Sequence, residues 1–360
     1  MVDPEPMAAP GNRAGGYPPG FADGEGFVIR ARITGVGSCL PPRVVTNDEL
    51  AAVMDTSDEW IVQRTGIKER RWVEPGVTTS DLALAASQEA LTAAGLTAGD
   101  LDMVILATLS PDHEFPGTAC FLQAKLGIRG VPALDVRQQC TGFVYAAAIA
   151  DQFLRTGSAR RILVVGAEVH SKGLDLSTEG RDVAVLFGDG AGAVVLEASE
   201  VAPDGPGILS THLHADGTGA TDLWLPAPGM AYERFMSADL LERKLHFPQM
   251  NGRAVYVNAV KRMGEAVMEA VAAHGLGVED VDLFLFHQAN LRINEAVAQR
   301  LGIPAERVFH TIDRFANTTA ATIPLGLHEA LKAGLLHPGM LVGVAAFGSG
   351  FTWGSMLLRW

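Results

Sequence analysis

The chain carries a copy of part of itself. The run ALTAAGLTAGDLDMVILA from Ala90 aligns without gaps on AVAAHGLGVEDVDLFLFH from Ala270, pairing Gly95 with Gly275, Leu96 with Leu276, Asp100 with Asp280 and Asp102 with Asp282. In each copy a helical spacing of apolar residues stops at glycine, an acidic turn follows, and a nearly all-apolar run begins. A second echo sets RDVAVLFGDGAGAVVL beside MLVGVAAFGSGFTWGSMLL, with Phe187 and Phe347 as matching anchors. Two copies of a helix-turn-strand unit must bury their apolar faces together, so the halves are expected to pack as one body with a site at their junction.

Strand and helix patterns alternate through both halves, which predicts an α/β fold of duplicated halves stacked in five layers, α/β/α/β/α. With 360 residues, 48% of them hydrophobic, the chain can bury a core of that size. The expected division is a flexible extension over residues 1–26, rich in Pro, Gly and Ala, then halves at 27–200 and 201–360. The extension does not resemble a secretory signal. No apolar run reaches the roughly 18 residues of a membrane span, so no membrane partner is expected. A net charge of -13 argues against nucleic acid, whose phosphates demand dense Lys and Arg. Three cysteines make no disulfide framework, and a reducing cytoplasm is the expected location.

Cys140 stands where the run VPALDV gives way to the small-residue helical pattern TGFVYAAAIADQFLRTG. A thiol in the first turn of a helix faces unpaired N–H groups and the positive end of the helix dipole, which favours a nucleophilic thiolate. Cys39 and Cys120 lack that setting and read as small buried apolar residues. His287 follows the apolar strand pattern LFLF, and Asn317 lies in a loop that opens another helix. Each alone reads as a cap or a satisfied core residue; together with Cys140 they form a Cys-His-Asn set. Arg292 and Arg300 share a helix face near Arg253, Lys261 and Arg262, a basic patch or simply a solvated surface. The GDGAG run precedes a strand, not a helix, and so predicts a hairpin turn rather than a phosphate loop. His212 and His214, followed by Asp216, lack a further ligand at suitable spacing, and no metal is expected.

Six segments then carry a resemblance: DTSDEWIVQRTGIKER, DVRQQCTGF, FGDGAGAVVL, FHQANLRI, DRFANTTAAT and AAFGSGFTWGSMLLRW. In this order over residues 28–360 they resemble the 3-oxoacyl-acyl carrier protein synthase III family, condensing enzymes of the thiolase superfamily. The resemblance implies that Cys140 takes the acyl group of an acyl-CoA, with the backbone N–H groups of Cys140 and Ser349 as oxyanion hole. His287 and Asn317 would then hold the thioester of malonyl-acyl carrier protein while CO2 departs, yielding a 3-oxoacyl-acyl carrier protein that initiates fatty acid biosynthesis. It implies a decarboxylation pocket walled by Phe347. CoA contacts would come from Thr56, Trp60, Arg64, Arg181, Gly252, Tyr256, Ala289 and Asn290, and carrier-protein docking from Arg292, Arg253 and Arg300. Phe115 would border the acyl pocket across a homodimer. No cofactor is implied, since acyl-CoA is a substrate.

The chain departs from the family pattern at Gln138 and Gln139 before the cysteine, at Ser349 and Ala316 where glycine is usual, at Val257 where some members carry a docking lysine, and in a longer segment over 217–252. The glutamine pair and the longer segment bear on which acyl chain is taken. Rival readings are a relative priming secondary metabolism, a condensation of two acyl chains without decarboxylation, a thiol acyl hydrolase, and a catalytically silent partner protein.

Overall fold

The computed structural model describes residues 26–360, so the extension expected over 1–26 lies, apart from Gly26, outside the described residues. The first half runs β1 (Val28–Cys39), β2 (Arg43–Thr46), α1 (Asn47–Ala51), α2 (Asp58–Thr65), β3 (Glu69–Trp72), α3 (Thr79–Ala94), β4 (Met103–Ala107), α4 (Thr118–Lys125), β5 (Ala133–Val136), α5 (Gly142–Arg155), β6 (Arg161–Glu168), α6 (Arg181–Ala184) and β7 (Gly190–Val201). The second runs β8 (Gly207–Ala215), β9 (Leu223–Trp224), α7 (Ala238–Glu242), β10 (Gln249–Met250), α8 (Gly252–Ala272), β11 (Leu283–Phe286), α9 (Leu291–Leu301), α10 (Ile312–Phe315), α11 (Thr322–Lys332), β12 (Leu341–Gly348) and β13 (Thr352–Arg359). Local chemistry sets the boundaries. Thr46 caps α1 in a reciprocal box with Glu49, while α3 and α9 stop at Gly95 and Gly302, both in the left-handed region that glycine enters freely.

The two large sheets repeat one another. The first has the order β1-β7-β6-β4-β5, the second β8-β13-β12-β11, and a bridge from Phe284 to Val308 stands where β5 stands in the first. In both, the strand of the aligned repeat pairs in parallel with the next core strand, β4 with β6 and β11 with β12. The paired aspartates do the same job in each copy. Asp102 accepts from the Arg160 and Arg161 N–H groups at the start of β6, and Asp282 accepts from the Leu341 N–H at the start of β12.

The five expected layers are present. Helices α3 and α4 cover the outer face of the first sheet through Leu82, Leu91 and Leu122, and α8 and α9 cover the second through Met263, Val267 and Val297. Between the sheets lie α5 and α11, whose Phe143, Leu154, Ile323 and Leu327 join Ile105, Val164, Val344 and Met356 in one cluster. Each such side chain taken from water contributes about 1.5–3 kcal/mol, which fixes the central layer against both sheets at once. Strands covered on both faces read as continuous apolar runs, the reason MVILA and LFLF show no alternation.

One element of the second echo is corrected. RDVAVLF folds as helix α6 and a short bridge from Phe187 to Asn317, so no hairpin forms at Gly188; the strand equivalent to β12 is β6. In the second half β12 turns directly into β13, whereas residues 169–189 intervene between β6 and β7. Asp189 pins that insertion: its carboxylate accepts from the N–H groups of Val73, His170 and Ser171 and from the Ser171 hydroxyl.

Candidate active site

The junction of the halves holds a cavity of about 290 Å³. Its floor is built where the two central helices begin. After β5 the chain makes a single 3-10 turn, Gln139–Thr141, and runs straight into α5. Gln139 adopts φ 45°, and the turn closes through Thr141 N–H to the Gln138 carbonyl at 3.0 Å. This sharp entry presents Cys140 to the cavity while leaving only 6% of the residue exposed. The backbone N–H groups of Cys140 and Ser349 favour its thiolate, and the chain at Gly348 passes close beside it. Gly348 makes that approach possible, since a Cβ there would stand 2.9 Å from the Cys140 Cβ.

The charge state of the thiol differs from the expectation. Burial pushes the Cys140 thiol up to about 12, the charge of Glu168 adds to the rise, and the two N–H groups pull the other way without prevailing. Desolvation of a fully enclosed thiolate outweighs the helix end that the sequence pattern emphasises. The resting residue is a thiol. Glu168 itself is fully buried at the end of β6, where it accepts from the hydroxyls of Thr108 and Ser110, at 3.1 and 2.5 Å, and from the Leu109 and Ser110 N–H groups.

His287 follows β11 directly and lines the cavity. Its Nδ1 lies 2.7 Å from the Thr322 hydroxyl, and its Nε2 is buried without a protein partner. Burial lowers its pKa to about 3, so the ring is neutral. A donor role for Nε2 requires the Thr322 hydroxyl to give its proton to Nδ1 rather than to the Thr319 carbonyl, 3.0 Å away. Asn317 donates its backbone N–H to the Leu186 carbonyl at 2.9 Å, and its own carbonyl accepts from the Gly188 N–H at 3.1 Å. Its side-chain oxygen accepts from the Thr319 N–H at 2.8 Å, which leaves the amide nitrogen as the group available to the cavity. Phe347 forms an apolar wall beside them, its ring centroid 4.9 Å from that of Phe351. A buried thiol, a neutral imidazole and an amide donor around one largely apolar pocket are suited to acyl transfer through a covalent thioester.

Of the other residues singled out from the sequence, Trp60, Arg64, Gly252, Tyr256, Ala289 and Asn290 line the cavity walls. Arg64 and Arg181 both place their guanidinium carbons over the Trp60 ring, 4.5 and 5.0 Å from its centroid. Thr56 is not among the lining residues; its hydroxyl is buried without a protein partner. Arg253 and Arg300 lie on α8 and α9 with Arg292, which is tied to Glu295 at 2.9 Å and to the Gln63 carbonyl at 3.1 Å. Phe115 is 84% exposed and away from this chain's cavity. Two minor expectations fail: Cys120 is exposed and Cys39 half-buried rather than core. His212 and His214 share Glu269, at 3.3 and 2.6 Å, and among the described residues no group of three or more His, Cys, Asp or Glu is arranged for a metal. Sequence reasoning missed Thr319, Thr322, His170 and Gly348, which hold the site. Only the placement of TTAAT directly before a helix could have pointed to the first two.

A family model described as 3-oxoacyl-[acyl-carrier-protein (ACP)] synthase III matches residues 134–217, and one for the C-terminal part of the same proteins matches 271–360. The chain is 49% identical over 335 residues to a beta-ketoacyl-[acyl-carrier-protein] synthase III of Xanthomonas campestris, covering 92% of this chain and 99% of that one. It is 47% identical over 330 residues to one of Thioalkalivibrio sulfidiphilus, covering 91% and 99%. Among solved structures, the 3-oxoacyl-[acyl-carrier-protein] synthase III of Aquifex aeolicus superposes with a TM-score of 0.84 at 43% identity, over 92% of this chain and 100% of that one. The priming beta-ketosynthase of the R1128 polyketide pathway superposes at 0.82 with 33% identity, over 95% and 99%.

Proposed function

The chain belongs to the 3-oxoacyl-[acyl-carrier-protein] synthase III family, thiolase-fold acyltransferases that condense an acyl-CoA with malonyl-acyl carrier protein in fatty acid synthesis, and on that premise we propose how its own residues do so. Cys140 is the nucleophile. Its sulfur attacks the acyl-CoA carbonyl, the tetrahedral oxyanion sits on the N–H groups of Cys140 and Ser349, and CoA leaves carrying the thiol proton. Because the resting thiol is neutral, it gives up that proton only as the acyl group arrives.

In the second half-reaction the malonyl thioester carbonyl takes hydrogen bonds from His287 Nε2 and Asn317 Nδ2. Loss of CO2 leaves an enolate on that carbonyl, and a neutral imidazole donor stabilises it without neutralising it. The apolar face of Phe347 disfavours the malonyl carboxylate and thereby favours its departure. The carbanion attacks the acyl-Cys140 carbonyl, the 3-oxoacyl product leaves on the carrier protein, and the Cys140 thiolate recovers a proton from solvent. Every step balances without an electron acceptor or metal.

We further assign Trp60, with Arg64 and Arg181, to the CoA adenine by stacking, and Gly252, Tyr256, Ala289 and Asn290 to the pantetheine arm, with Thr56 nearby. Arg253, Arg292 and Arg300 form the carrier-protein face. The exposed Phe115 ring would be buried against a second copy of the chain in a homodimer working in the cytoplasm. Among the described residues no helix is long and apolar enough to cross a membrane.

The meeting of Cys140, His287 and Asn317 on the wall of one cavity at the junction of the halves is the observation that supports this reading most. Its test is intact-mass spectrometry after incubation with acyl-CoAs of graded length, then a chase with malonyl-acyl carrier protein. A Cys140-dependent adduct that passes into 3-oxoacyl carrier protein is expected. An adduct that drains to free acid regardless of the chase would establish a hydrolase instead.

A further inference from the structure

Thr319 is in the wrong conformation for its side chain. It has φ 49°, a left-handed backbone that strains a β-branched residue, and it is fully buried. Yet three of its groups touch residues that support the site. Its N–H donates to the Asn317 side-chain oxygen at 2.8 Å. Its carbonyl lies 3.0 Å from the Thr322 hydroxyl, whose proton goes to His287 Nδ1 when Nε2 is the donor. Its own hydroxyl lies 2.6 Å from His170 Nε2.

His170 is the fixed end of this chain of contacts. It lies in residues 169–189, the stretch the first half has and the second lacks, and only 8% of it is exposed. Its backbone N–H is bound by Asp189 at 2.7 Å, and its ring packs on Phe187, centroids 4.7 Å apart. Phe187 in turn bridges to Asn317. A residue anchored by backbone and ring, whose Nε2 meets the hydroxyl of a strained threonine, is placed to keep that threonine in its unfavoured backbone. Its hydrogen bond is satisfied with either ring tautomer, and burial keeps the ring neutral.

Resting on the assignment of Asn317 and His287 to the malonyl thioester, we propose that His170 is a positioning residue for the condensation half-reaction: by bonding the Thr319 hydroxyl it holds the Thr319 N–H against the Asn317 amide and so aims the amide nitrogen. It has no part in loading Cys140. The predicted signature is therefore a split between the two half-reactions, which general loss of packing would not produce.

The experiment compares His170→Phe, which keeps a ring on Phe187 but removes the bond, with His170→Gln, whose amide reaches the place of Nε2. Cys140 acylation is followed by intact mass, and steady-state condensation with malonyl-acyl carrier protein is measured on the same preparations. For His170→Phe, acylation within about twofold of the parent is expected, with kcat for condensation falling about ten- to a hundredfold and KM for malonyl-acyl carrier protein nearly unchanged. His170→Gln should recover most of the loss. Thr319→Val and Thr319→Ser form a second pair with the same expected split, and they decide the matter if His170→Phe does not fold. Unchanged condensation in His170→Phe and Thr319→Val, or acylation falling in step with condensation, overturns the inference. If Asn317→Ala also leaves condensation intact, the assignment of Asn317 fails with it; if Asn317→Ala is crippled while His170→Phe is not, only this inference fails.

Discussion

The two central helices begin in the same way and do opposite work. Residues 138–142 and 318–322 trace one backbone twice: Gln138 and Thr318 at φ -116° and -95°, Gln139 and Thr319 in the left-handed region at 45° and 49°, then a 3-10 turn closed by 3.0 and 2.9 Å bonds, then Gly142 and Thr322 in helix. The turns meet face to face, close enough that a Cβ on Gly142 would stand 3.3 Å from the Ala320 Cβ. In the first, the central residue is Cys140, facing the cavity. In the second it is Ala320, 1% exposed, and the flanking threonines hold other residues in place. Duplication supplied one geometry twice, and the chemistry proposed for it divides: one turn presents the proposed nucleophile, the other organises the groups assigned to the second substrate.

The hardest blow to that division is Cys140→Ala. It should abolish the acyl adduct and lower condensation by about 10⁴-fold or more, as loss of a covalent nucleophile does. The sharper form adds Ala320→Cys to it, moving the thiol into the twin turn. No adduct is expected by intact mass, because Ala320 lies outside the cavity lining and is packed against α5. An adduct at position 320 of the double variant would mean that the backbone turn alone makes a nucleophile, and the asymmetry would lie in sequence only.

The next effects test the second turn. His287→Ala and Asn317→Ala should each lower condensation by about 10²–10³-fold, the usual cost of one donor to an oxyanion, while Cys140 still loads. If either also stops loading, as followed by intact mass, the two turns share their tasks.

How much of this could be read from the sequence depends on which turn is considered. The first was legible because cysteine at a strand-to-helix switch is a rare residue in a telling place, and the pairing of Asp102 with Asp282 exposed the duplicated frame around it. The second was not: Thr319, Ala320 and Ala321 are ordinary helix-entry residues, and nothing in their types announces a left-handed backbone. RDVAVLF was misleading for a related reason. Its valines favour a strand, but the sheet is already complete between β6 and β7, and the segment folds as α6 beside the cavity instead. The thiol's charge state was out of reach too, since the helix start is local and visible while burial comes from both halves.

That last point gives a pH test of moderate size. With the Cys140 thiol raised to about 12, its thiolate fraction grows tenfold per pH unit throughout the neutral and mildly alkaline range. Alkylation of Cys140 by iodoacetamide, followed by peptide mass, should therefore keep climbing about tenfold per unit from pH 7 to 9. A plateau below pH 8 would mean that the helix end wins over burial, and that the first turn carries a preformed thiolate as its position in sequence suggests.

The smallest effect lies just before the second turn. Ala316 has φ 55° and ψ -154°, a region that is essentially glycine's own, and Val136, the equivalent residue two before its turn, is not among the residues of positive φ. Ala316→Gly should relieve about 1–3 kcal/mol of backbone strain, less the roughly 0.5–1 kcal/mol that glycine's extra freedom costs in the unfolded chain, a net gain of about 1 kcal/mol in urea unfolding. Condensation should stay within about twofold, because Asn317 is held by Leu186, Gly188 and Thr319 whatever residue precedes it. A more stable variant with impaired condensation would show instead that the strained alanine helps aim Asn317, and that the second turn extends two residues further toward α10 than its twin in the first half.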